Sequence, residues 1–449
     1  MKLALWQEQK GSTARTYKRL CKKAGIKGSI LQARLAWRGE VKKELLFVIN
    51  TLSRAGAETA LLELLRILAG IKDSGGNNKY NIDVYVLMGQ GELAGKLPKG
   101  TRLLNKKYSH FSVLSNKGRH YMYRHIASQV FKHGAIFKNF FYIISNFADM
   151  AKSHHIWPDK LLWRVLADGA EFTEKEYDLA VSYIEGGSAY YTAEHVKAKK
   201  KAVFIHIDYK KAGYTRKLDK GCYEKFDAVF PISDEVKGQF LKVYPEYRDK
   251  TKVFHNIINQ KRLLKLAKEP GGFNDGFDGI RLLTVGRLTY QKAYPVAVEA
   301  MRLLKEDGYN VRWYVLGEGP ERQALEQCIS DAGLTSDFIL CGAVDNPYPY
   351  YRQAGLYVHA TRFEGKSIAI QEAQTLGCAV VASDSSGNRE QVEDGIDGIL
   401  CSLDAASVKN AVAGLLDNPA KRQEFGKKAA LKKITYENET RMLLELAGE

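Results

Sequence analysis

The chain has 449 residues, 45% of them hydrophobic and 27% charged, and a net charge of +17. Its length is more than one core needs and suits two domains. The six cysteines form no C-x-x-C and no close pair, which argues against a zinc site or a disulfide framework and for a reducing cytosol. Met1–Gln7 lacks the apolar core of a signal peptide. No apolar run nears the roughly 20 residues needed to span a bilayer, so any membrane contact is expected to be peripheral.

The charge is uneven. Residues 1–270 carry 49 Lys+Arg against 26 Asp+Glu, whereas residues 271–449 carry 19 against 25. Two domains with different partners follow from that split, and the basic one should meet something anionic: a membrane surface, a lipid phosphate or a nucleic acid.

Residues 1–43 form a basic extension with twelve Lys/Arg, opposed only by Glu8 and Glu40. Leu45–Asn50 then reads as a strand covered on both faces. Further strands are expected at Ile82–Met88, Leu179–Ile184, Ala202–Ile207, Ala228–Ile232 and Lys252–His255. Between them lie helices such as Glu58–Ala69, whose Leu61, Leu62, Leu65 and Leu68 repeat at helical spacing. Pro270–Gly276 is rich in turn formers and reads as a linker. The alternation restarts at Arg281–Gly286 and continues with strands at Val311–Leu316, Phe338–Gly342, Leu356–Thr361, Ala379–Ser383 and Gly398–Cys401. Strand–helix alternation implies a parallel, doubly wound sheet. The expected plan is α/β: two Rossmann-like domains, 44–270 and 277–435, joined by a 271–276 linker and facing a cleft. A C-terminal helix in 436–449 is expected to pack back on the first domain.

Residues 112–148 interleave aromatic and basic residues. Such a stretch fits a membrane interface, with aromatics inserted and cations on lipid phosphates. It fits equally an amphipathic helix with its aromatics in the core.

Several motifs lie where strands meet helices. In the first domain, Gly56-Ala57-Glu58 makes a small-residue turn at the mouth of the cleft. His206 ends a strand on the side where ligands bind, as a contact to a reacting sugar or as a buried structural histidine. In the second domain, Arg287 and Lys292 follow the first strand and can reach an anion held over the strand ends, unless they are ordinary surface cations. Gly317 and Gly319 form a glycine turn that admits a base or ribose but lacks the third glycine of a dinucleotide fingerprint.

Gly365-Lys366-Ser367 resembles the end of an NTPase phosphate loop. Ala360 stands where that motif needs glycine, so Ser367 reads as a helix N-cap. Glu364 and Glu372 lie eight residues apart, a rise of about 12 Å on a continuous helix. A hydrolytic pair needs carboxyl groups roughly 5–9 Å apart. Two hydroxyl-bearing rings joined by a diphosphate fit better, with a solvated helix face as the plain alternative.

Taken in order, these elements resemble the retaining GT-B glycosyltransferases of family 4, especially those of capsular and cell-surface polysaccharide assembly. The ordered set runs from Arg54–Glu58 through His206, Gly286-Arg287…Lys292, Leu316–Pro320 and the E-x7-E segment to Ser386–Glu390 and Asp394–Gly398. The resemblance implies that Arg287 and Lys292 hold a donor diphosphate, Glu372 takes the ribose hydroxyls and Glu364 sits at the donor sugar. The Gly365, Lys366, Ser367 and Ile368 amides would orient sugar and phosphate, and His206 would stand near the reacting sugar. Ala55 departs from the usual glycine pair.

The expected reaction is transfer, with retention, from a nucleotide-diphosphate sugar (UDP by the resemblance) to a glycan or polyprenyl-diphosphate-linked acceptor. No metal is required and no Asp-x-Asp motif offers one a site. An anionic membrane surface at the cytoplasmic face is an expected partner, and nucleic acid is not. The alternatives are a sugar-nucleotide epimerase or phosphorylase of the same fold, or a non-catalytic glycan- or nucleic-acid-binding protein.

Overall fold

The computed structural model describes residues 42–432 and 436–449, apart from residues 153, 155, 210 and 211. Of the basic extension 1–43, all but the last two residues lie outside the described residues.

Two six-stranded sheets carry the chain. The first is built from β1 Lys43–Ile49, β2 Tyr80–Val86, β3 Thr101–Leu103, β4 Glu176–Ser182, β5 Lys197–Ile205 and β6 Ala228–Pro231, in the order β3-β2-β1-β4-β5-β6. The second is built from β7 Ile280–Val285, β8 Val311–Leu316, β9 Phe338–Gly342, β10 Leu356–His359, β11 Val380–Ser383 and β12 Gly398–Cys401, in the order β12-β11-β10-β7-β8-β9. The pairings within both sheets are parallel. Helices on both faces turn the strands into apolar runs: Leu45 to Ile49, Val181 and Ala202 to Ile205 are fully or nearly fully buried. Each sheet reverses direction once, between β1 and β4 and between β7 and β10. A ligand crevice opens beyond the carboxyl ends of the strands at such a reversal.

Lys252–His255 is not a strand. Thr251 makes a lone bridge to Val229, and the N–H groups of Lys252 and Phe254 reach Val229 and Pro231 across the edge strand β6. Among the described residues no strand pairs with its outer side, so this stretch pairs along one edge only. β3 is too short and too polar to stand out in the sequence.

The chain changes core well before Pro270–Gly276: Ile257 packs in the first domain and Ile258, Leu263 and Ala267 in the second. Asp275 fixes the glycine-rich stretch to the second domain, accepting hydrogen bonds from Arg281, Arg312 and the Tyr314 hydroxyl. The helix Glu437–Leu446 returns to the first domain, where Leu443 and Ala447 are buried in its core.

Candidate active site at the domain cleft

β7 and β10 lie side by side, so the turns that follow them meet. Thr361 Oγ1 and the Arg362 N–H both donate to the Gln291 carbonyl, and Gln291 Nε2 donates to the Phe363 carbonyl at 2.9 Å. Ala293, at φ +45°, takes the left-handed conformation an alanine rarely adopts and so ends the Tyr290–Lys292 turn abruptly. The Lys292 stem lies against Gly286, beside Arg287.

These constraints bring Lys292 onto Glu364 as a close ion pair. His359, at the end of β10 and 1% exposed, puts Nε2 3.2 Å from Glu364 Oε2, 3.5 Å from Lys292 Nζ, and Nδ1 3.1 Å from the Tyr357 hydroxyl. Burial alone would raise Glu364. The Lys292 charge and the His359 hydrogen bond outweigh it and hold the carboxyl down to about 2. Burial, reinforced by the Lys292 charge, lowers His359, so its ring is neutral at pH 7. The site thus presents a firmly ionised carboxylate next to a partly buried ammonium.

The other second-domain residues fall into place unevenly. A side chain on Gly317 would clash with the Gly286 carbonyl, and one on Gly319 with the Leu288 carbonyl. These glycines let the β8 turn lie against the Arg287 loop. Ser367 occupies the N-cap of Ile368–Thr375, but its hydroxyl makes no cap bond. Its N–H is already donated to Gln391 Oε1 at 2.7 Å, while Gln391 Nε2 donates back to the Ser367 carbonyl. That amide is taken by the protein. The carboxylates acting on Lys366 are Glu390, Glu439 and Asp234, which sets it apart from the Lys292–Glu364 pair. Glu372 is buried on the same helix and accepts hydrogen bonds from the Tyr348 and Tyr351 hydroxyls, each at 3.1 Å. Burial pushes it up to about 7, against the pull of those two bonds.

On the first domain, Ala55 is extended at φ −144°, a backbone that any residue adopts, so its departure from glycine leaves the turn intact. Gly56 opens the helix Gly56–Gly70 facing Ile368 of the second domain, with Ala57 following in its first turn. Glu58 is buried, accepts from the Thr51 hydroxyl at 3.2 Å and is raised to about 7 by burial, with Arg287 across the cleft pulling the other way. His206 is pushed down to about 4 by burial and is neutral at pH 7; its Nε2 has no hydrogen-bond partner among the described residues. Gly365, next to Glu364, packs against the His206 carbonyl together with Ile232 and Val236. Gly387 in turn presses its backbone against the Gly365 carbonyl, where any side chain would clash. The segment after Glu364 is therefore wedged between His206 and the Ser386–Arg389 turn.

Four further residues belong to this constellation and carry no motif: His359, Gln391 and the tyrosines on Glu372 (Tyr348 and Tyr351). Glu185 adds a buried carboxylate beyond β4. It accepts the His206 N–H at 2.8 Å, and burial raises it. The signal that could have found His359 is its place at the end of an apolar buried strand.

Known proteins share the fold. Residues 276–432 match the family of glycosyl transferases group 1. The crystal structure of HepE from Anabaena in complex with UDP and glucose superposes with a TM-score of 0.63 at 14% identity, covering 90% of this chain and 99% of that one. The fold is therefore GT-B, two Rossmann-like domains about a cleft. Among curated relatives, the chain is 28% identical over 209 residues to N-acetylgalactosamine-N,N'-diacetylbacillosaminyl-diphospho-undecaprenol 4-alpha-N-acetylgalactosaminyltransferase of Campylobacter jejuni, covering 46% of this chain and 55% of that one. It is 26% identical over 205 residues to poly(glycerol-phosphate) alpha-glucosyltransferase of Bacillus subtilis, covering 45% of this chain and 29% of that one. The chain spans about half or less of the length of these two relatives.

Proposed function

We propose that the chain is a glycosyltransferase that moves a sugar, with retention, from a UDP-linked donor to a lipid-linked or glycan acceptor in cell-surface polysaccharide synthesis. The observation that carries this reading is the Lys292–Glu364–His359 constellation at the reversal of the second sheet, wedged against His206 of the first. The match of residues 276–432 supports the class, the UDP and glucose of the HepE complex support the donor, and the diphospho-undecaprenol in the Campylobacter relative's name supports a lipid-linked acceptor.

In this scheme Lys292 and Arg287 neutralise the charge that grows on the departing diphosphate, and a preorganised donor of this kind is worth on the order of 3 kcal/mol. Glu364, held ionised, accepts hydroxyls of the donor sugar, and Glu372 those of the ribose. Glu364 serves to grip the sugar rather than to attack it, so the acceptor enters on the leaving-group face with the departing phosphate taking its proton. Side-chain cations fill the role of a divalent metal, and the reaction runs in a reducing cytosol.

The test is incubation of the purified chain with labelled UDP-sugars, with and without a lipid extract, in the presence and absence of EDTA. Label should move to an organic-soluble product only when acceptor is present, at a rate EDTA leaves unchanged. Interconversion of the sugar nucleotide without acceptor would point to an epimerase and against this reading.

A further inference from the structure

The helix Phe140–Lys152 is turned inside out. Its buried residues include Asn146 and Met150, while Phe140 (52% exposed), Phe141 (83%), Ile144 (51%) and Phe147 (47%) face solvent at helical spacing. Phe137, one turn earlier, is 77% exposed and extends the same stripe. Two inward amides are satisfied: Asn146 Nδ2 donates to the Tyr142 carbonyl, and Asn139 Nδ2 donates to Asp168 Oδ2 at 2.7 Å. The helix is anchored by Tyr142 and Met150 on Leu161 and Leu218, and by Lys217 on Asp149 at 2.6 Å. A folded, fixed helix that exposes four large apolar side chains in a row marks an interaction surface.

The surrounding charge selects its occupant. From Leu93 to Ala148, 56 residues carry ten Lys+Arg and not one Asp or Glu. A two-fold contact with a second copy would set this cationic segment against itself, and like charges there oppose association. An anionic lipid surface offers apolar chains to the phenylalanines and phosphates to the cations around them, including Lys132 and Lys138, which pair at present with Glu171 at 3.9 Å and Asp168 at 3.0 Å. No helix among the described residues is long and apolar enough to cross a membrane, so this contact lies on the surface.

We infer that the Phe137–Phe147 face is a membrane-docking surface for anionic lipid. It stands one helix away from the cleft. The helix Pro158–Asp168 supports the patch through Leu161 and, through Trp163, packs against Gly187 just beyond β4. Docking there would hold the acceptor side of the cleft near the bilayer. The inference rests on exposure and charge, not on the proposed reaction.

The full chain should co-sediment with vesicles of phosphatidylcholine and phosphatidylglycerol and remain in solution with phosphatidylcholine alone. The double substitution Phe137→Ser, Phe141→Ser removes exposed rings only, so its melting temperature should match that of the parent. Its vesicle affinity should fall about tenfold or more, because apolar insertion supplies much of the binding. Phe141→Trp should show a blue-shifted emission that brominated lipid quenches. The inference is overturned if the parent ignores anionic vesicles, if the double variant binds as well as the parent, or if the parent is a dimer that the double variant dissolves. Transfer to a water-soluble acceptor should be the same in parent and double variant, so loss of docking and failure of the catalytic reading are separable.

Discussion

His359 Nε2 lies 3.2 Å from Glu364 Oε2, and the two share no solvent between them: the histidine is 1% exposed. Glu364 is ionised and can only accept, so the neutral ring donates from Nε2 and accepts the Tyr357 hydroxyl at Nδ1. Glu364 therefore sets the tautomer, and His359 sets the rotamer of the carboxylate. His359→Ala should lower kcat about tenfold or more, since a hydrogen bond to a charged group is worth about 1.5–3 kcal/mol, while the donor KM changes little. Tyr357→Phe should cost less. Steady-state kinetics with the donor varied would show it, and a raised KM with kcat unchanged would assign His359 to binding instead.

Lys292→Met tests the charge balance. Burial raises Glu364, and the Lys292 charge is the largest force opposing it. Removing the ammonium lets burial dominate, so the carboxyl takes up a proton at a higher pH. The acid limb of the pH–kcat profile should then move upward, toward neutrality. At its optimum the variant should be slower by about 10²–10³, the usual effect of losing one preorganised charge-stabilising group. An unmoved acid limb would show that Glu364 does not carry it.

What could be read in the chain before folding depends on distance along it. Lys292 and Glu364 each follow a strand, and the turn-plus-cation and E-x7-E patterns are local. The pairing of the two comes from β7 lying next to β10, which no spacing reveals. Gln391 is the sharper case. It takes the Ser367 amide that the family resemblance assigns to a ligand, and it acts from 24 residues away. The aromatic segment 112–148 fitted two opposite placements because a helical stripe has the same period whether it faces core or solvent. Only the positions of Asn146 and Met150 decide which face is inward.

Glu372 should leave a mark on stability. Its carboxyl is raised from 4.5 to about 7, so between those values the folded chain holds a proton that the unfolded chain has released. Stability from this group is present at the acid end of that window and is lost as pH rises through about 7. Glu58 and Asp219, also raised to about 7, act in the same direction. Glu372→Gln should remove one share of the slope and stabilise the ligand-free chain at pH 8 by on the order of 2–3 kcal/mol. The same variant should bind UDP-sugar more weakly. Thermal melts from pH 5 to 8, with and without donor, give both readouts.

Asp345 joins the domains at the rim of the cleft, pairing with Arg54 and with Lys96 at 2.8 Å, both from the first domain. It is 70% exposed, so the pairs add little to global stability, and Asp345→Ala should move the melting temperature by only about 1–2 °C. Its effect should fall on closure. Glu390, which accepts the Glu235 N–H at 3.0 Å, and the Arg262–Glu63 pair at 2.7 Å bridge the domains elsewhere, so the hinge does not fall apart. A weakened latch populates an open cleft in which Arg287 no longer faces Glu58 and Gly365 no longer packs on His206. The donor KM should rise by about two- to fivefold, the size of a modest shift in a two-state equilibrium, with kcat nearly constant once donor saturates. Small-angle scattering should show a larger radius of gyration for Asp345→Ala without donor and the parental value with it. An unchanged radius and KM would mean that the remaining bridges hold the cleft shut without Asp345.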